Sequence, residues 1–100
     1  MQIDRQQLLL AVQRALLGAI GSTILAICVN SNEDGVELIV FTEGQAPDDQ
    51  LEALEIAATE ISADFLPPVA VSVRTVVDVM KPVKADGVWV FLRLGCSVVK

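Results

Sequence analysis

Three carboxylates, Asp48, Asp49 and Glu52, fall within about one helical turn and could share a hard cation. The two thiols, Cys28 and Cys96, are the other candidates for chemistry. Neither leads far. The chain has no His to act as general base and no Tyr, its cysteines lack a base partner or a CxxC spacing, and no Gly-rich phosphate loop or nucleophile elbow occurs. Carboxylates that follow Pro47 at a helix start are better explained by the helix dipole they meet there. The expectation is a protein that is not an enzyme and carries no metal and no cofactor. Cys28 reads as a small apolar packer and Cys96 as an incidental thiol, both reduced in a cytoplasmic setting.

Charge offers a different chemistry. Between Arg14 and Arg74 there is no Lys or Arg, yet Glu33, Asp34, Glu37, Glu43, Asp48, Asp49, Glu52, Glu55, Glu60 and Asp64 lie there, ten of the thirteen acids. A one-signed block repels itself and adds nothing to the fold, so its use is to steer a cationic partner. An ordinary solvated acidic surface is the competing reading. The net charge of −6, with seven bases spread over the two ends, argues against nucleic acid and against an anionic membrane.

One hundred residues, 53% of them hydrophobic, predict a single domain spanning 1–100 with one core. The uncharged stretch from Ala15 to Asn32 is interrupted by Gly18, Gly21, Ser22, Thr23, Asn30 and Ser31, which suits a helix end, a turn and a strand rather than a membrane span. Asp4 before the first apolar run argues against a secretion signal, so the protein is expected to stay where it is made.

Asp4 and Gln7 have capping-box spacing and predict a helix reaching about Ile20, with Leu8, Leu9, Val12, Leu16 and Ile20 as its core stripe. Leu10 and Leu17 project elsewhere, so this helix is apolar on more than the stripe it needs. A strand over Thr23–Val29, a turn containing Asp34 and Gly35, and a strand over Val36–Thr42 form a hairpin. A second helix follows Pro47, lined by Leu51, Leu54, Ala58, Ile61 and Phe65 and stopped by Pro67 and Pro68. Alternation over Val69–Val77 and Val88–Leu94 adds two strands. The order αββαββ predicts an α+β two-layer sandwich, a four-stranded, largely antiparallel sheet with both helices on one face.

The period of two then sorts the strands. Leu25, Ile27, Val29, Val36, Leu38, Val40, Val69, Val71, Val73, Val88, Val90 and Leu92 fall on the helix side, and Cys28, Glu37, Ile39, Phe41, Ser72, Arg74, Trp89, Phe91 and Arg93 on the other. Two helices cover one face, so the aromatic and charged face should be open and suited to a protein partner. On the second helix Asp49, Glu52 and Glu60 surround Ile56 opposite the core stripe, a second docking candidate. The interface expected is thus Asp34, Glu37, Ile39, Phe41, Trp89 and Phe91 on the sheet and hairpin, with Asp49, Glu52, Ile56 and Glu60 on the helix.

The segments ALLGAI (Ala15 to Ile20), LAICV (Leu25 to Val29), EIAATEISADF (Glu55 to Phe65) and GVWVFLR (Gly87 to Arg93) resemble, in the same order, those of small bacterial immunity-type proteins that accompany colicin-like and contact-dependent growth inhibition toxins. The likeness spans residues 8–93; the connection from Asp78 to Asp86, with Pro82 and two Lys, departs from the family's more Pro- and acid-rich version. The resemblance implies a protein that binds and neutralises a cognate toxin domain. A nuclease toxin must be basic to grip phosphates, and an acidic protein without catalytic groups is suited to block one. The alternative is a structural or regulatory module that forms a homodimer through the aromatic sheet face.

Overall fold

The computed structural model describes residues 4–77 and 87–93. Helix α1 spans Arg5–Leu16 and is followed by strands β1 (Ile24–Asn32) and β2 (Gly35–Thr42), helix α2 (Asp48–Ala63), and strands β3 (Val71–Val77) and β4 (Val88–Leu92). The predicted connection from Asp78 to Asp86, Leu94 and Cys96 lie outside the described residues. Among the described residues no helix is long and apolar enough to cross a membrane.

The sheet order is β3-β2-β1-β4. The pairings β1–β2 and β1–β4 are antiparallel, while β2–β3 is parallel because α2 carries the chain back across the layer before β3 begins. The α+β sandwich read from the element order is thus the observed architecture, with a mixed sheet. One core joins the helices to the sheet: Leu8, Val12 and Leu16 of α1 and Leu54, Ala57 and Ile61 of α2 pack with Ile24, Ile27, Val29, Leu38 and Val40. Leu54 and Ile61 are fully buried, and each such side chain contributes about 1.5–3 kcal/mol.

The ends of the elements follow local chemistry. Asp4 caps α1 by accepting from the Gln6 backbone N–H at 2.9 Å. Gln7 does not close the expected capping box; its side chain reaches the Asp64 carbonyl at 3.5 Å instead. Helix α1 stops at Leu16, short of the expected Ile20, because Leu17 turns extended and Gly18 takes φ 79°, directing the chain toward β1. Even so, Ile20 still packs on the core.

In the hairpin, β1 runs on through Asn32, beyond the Val29 end expected from its apolar run. The Asn32 side-chain oxygen accepts from the backbone of Asp34 at 2.8 Å and Gly35 at 3.1 Å, closing the turn. Gly35 has φ 144°, and a Cβ there would strike the Ala70 carbonyl. At the start of β4, a Cβ on Gly87 would lie 2.5 Å from Cys28 Sγ and from the Val29 carbonyl, so only glycine lets β4 approach β1 there.

Candidate functional site

The two faces of the sheet depart from a simple period of two at a pair of irregularities. Between β1 and β2, Ile24 faces Thr42 but Ala26 faces Phe41, leaving Leu25 as the extra residue. Between β1 and β4, Cys28 faces Trp89 but Ile27 faces Phe91, leaving Val90 extra. Each bulge inverts the parity of the residues beyond it. Phe91, expected on the outer face, packs on the helix-side core, whereas Leu92, expected inside, is exposed. Leu25, also expected inside, packs against the outer cluster, and Ile24 takes the core position.

That outer face is not the open aromatic surface expected from the strand alternation. Ala26, Cys28, Ile39 and Phe41 form a second buried cluster, with Leu25, Val76 and Trp89 packed against it. The rings of Phe41 and Trp89 are tilted at 55° with centroids 5.7 Å apart, a favourable aromatic arrangement. Trp89 is half-buried, and its indole N–H, like the buried Thr42 hydroxyl, has no hydrogen-bond partner among the described residues.

Three acids of the one-signed block are neutralised by arginines distant in sequence, which corrects its reading as wholly unneutralised. Arg14 pairs with Asp64 at 2.9 Å, Arg93 with Glu43 at 2.7 Å, and Arg74 with Glu37 at 3.4 Å. Arg93 also donates to the Ser22 carbonyl at 3.0 Å, tying the end of β4 to the start of β1. Glu33, Asp34, Asp48, Asp49, Glu52, Glu55 and Glu60 form no ion pair among the described residues.

The predicted interface residues therefore separate into distinct places. Asp34 and Glu37 line a groove of about 240 Å³ between the hairpin turn and the start of β3. Ile39, Phe41 and Trp89 belong to the outer cluster, and Phe91 to the main core. Asp49, Glu52, Ile56 and Glu60 lie together on the exposed side of α2, opposite its buried Leu54, Ala57, Ala58 and Ile61. Asp48 and Asp49 occupy the first turn of α2, where their charge meets the positive end of the helix dipole. Among the described residues no three His, Cys, Asp or Glu side chains converge on a metal position.

Exposed apolar groups add surface that charge and strand alternation do not single out. Leu10, Leu17 and Leu66 stand in solvent with Ile56. The surplus apolar character of α1 is the visible sequence signal for the first two.

The chain belongs to the MafI2 immunity protein family, whose model matches residues 5–94. Membership makes a cognate toxin its partner and neutralisation of that toxin its role. No curated protein matches the chain.

Proposed function

We propose that this immunity protein acts in the cytoplasm by direct, non-catalytic binding to a basic, nuclease-type toxin domain of a colicin-like or contact-dependent growth inhibition system. The observation that carries this reading is the exposed side of α2, where Asp49, Glu52 and Glu60 surround Ile56 without an ion-pair partner among the described residues. Such a surface combines long-range attraction for a phosphate-gripping protein with a short-range apolar contact. Asp34, at the hairpin groove, adds to the same field. The burial of Ile39 and Phe41 favours this reading over the alternative, a homodimer built on the aromatic sheet face.

The test is co-expression with its cognate toxin, paired with calorimetry on the purified components. Protection of the cells and a complex weakened by added salt are expected. Loss of protection, or no binding between the purified proteins, would refute the reading.

A further inference from the structure

The outward side of the helix layer carries more apolar surface than α2 alone explains. Leu10 of α1 and Leu17, the residue that caps its C-terminal end, are 59% and 81% exposed, while Leu8, Ala11, Val12 and Ala15 of the helix are buried. Arg14 lies between them in sequence, and its guanidinium holds Asp64 at the end of α2. Leu66, two residues further, is 98% exposed. The ion pair thus ties the apolar stripe of α1 to the end of α2, the helix whose own outward side presents Ile56 among acids.

We infer that the toxin docks on this helix-layer surface, with Leu10 of α1 and Leu17 at its C-terminal cap as the apolar anchors and the acids of α2 as the charged flank that captures it. The inference rests on the toxin-binding reading above and locates the binding surface within it. The occupant follows from charge. Asp49, Glu52 and Glu60 find no ion pair among the described residues, and Arg14 is already held by Asp64. A second copy placed on this surface by a twofold axis would bring the same acids together and be repelled. A basic partner meets both needs, its cations pairing with α2 and an apolar depression receiving the leucines. Exposed aliphatic side chains beside a charged flank match the anatomy of interfaces, where few buried contacts hold most of the affinity inside a polar rim.

The experiment measures binding of the purified cognate toxin domain to the wild type, to L10S/L17S, and to R74E as a variant of the opposite sheet face. Ultracentrifugation of each immunity protein alone and a thermal melt accompany the binding curves. The expected result is a loss of at least about tenfold in affinity for L10S/L17S, with an unchanged melt, and near-wild-type affinity for R74E. Wild-type binding that L10S/L17S leaves within about twofold would overturn the helix-layer surface while leaving toxin binding intact. Failure of the wild type to bind would overturn toxin binding itself, and the docking surface with it. A wild-type dimer that L10S/L17S converts to monomer with toxin affinity unchanged would assign the stripe to a second copy instead.

Discussion

Ile27 and Phe91 face each other across the β1–β4 pairing, one residue out of step with the Cys28 and Trp89 pair beside them. That single offset moves an aromatic ring from the outer face of the sheet to the core under the helices. Phe91→Ala should therefore destabilise the protein by about 2 kcal/mol, less than the roughly 3–5 kcal/mol of a fully buried Phe because the side chain is only partly enclosed. Leu92→Ala, one position on and exposed, should stay within about 0.5 kcal/mol. Urea unfolding of both variants decides the matter, and equal losses would contradict the bulge.

Trp89 is the only tryptophan, so its emission reports on the outer cluster directly. Trp89→Ala removes the ring packed on Phe41 and should cost about 2–3 kcal/mol, whereas Trp89→Phe should retain most of the stability. At temperatures where Trp89→Ala remains folded, toxin affinity should be near that of the wild type. A tenfold weaker complex from a fully folded Trp89→Ala would place the interface on the sheet after all.

Acids on α2 should act on rate rather than lifetime. Replacing Asp49, Glu52 and Glu60 together by Lys should slow toxin association by about tenfold or more at low salt and flatten its salt dependence, with a smaller change in dissociation. Stopped-flow mixing across a salt series is the measurement. An unchanged association rate would remove this helix face from the encounter.

The Arg14–Asp64 pair should add little to stability despite its 2.9 Å separation, since both side chains are substantially exposed. A double-mutant cycle on Arg14→Ala and Asp64→Ala should give a coupling of about 0.2–1 kcal/mol. By contrast Gly35→Ala, at φ 144° and against the Ala70 carbonyl, should cost about 1–3 kcal/mol, measurable in the same urea titrations.

The residues alone determine whatever depends on near neighbours. The spacing of Leu8, Val12 and Leu16, and of Leu54, Ala58 and Ile61, defines the buried side of each helix because helical geometry repeats locally, and the same rule places Asp49, Glu52, Ile56 and Glu60 together on the exposed side. Pro47 and the paired Pro67 and Pro68 bracket α2 because proline restricts its own backbone wherever it stands. The element order αββαββ and its layering follow from such local signals, since each apolar face must be covered.

Tertiary structure decided everything that required two distant segments to meet. Whether Phe91 or Leu92 faces the core depends on an extra residue, Val90, whose place is set by the strand opposite. No pattern within β4 reveals it, because a bulge changes parity without changing composition. Glu43, Glu37 and Asp64 look unneutralised along the chain until β4, β3 and α1 bring Arg93, Arg74 and Arg14 to them. A Coulomb contact is a matter of ångströms, and separation along the chain says nothing of it until the fold is closed.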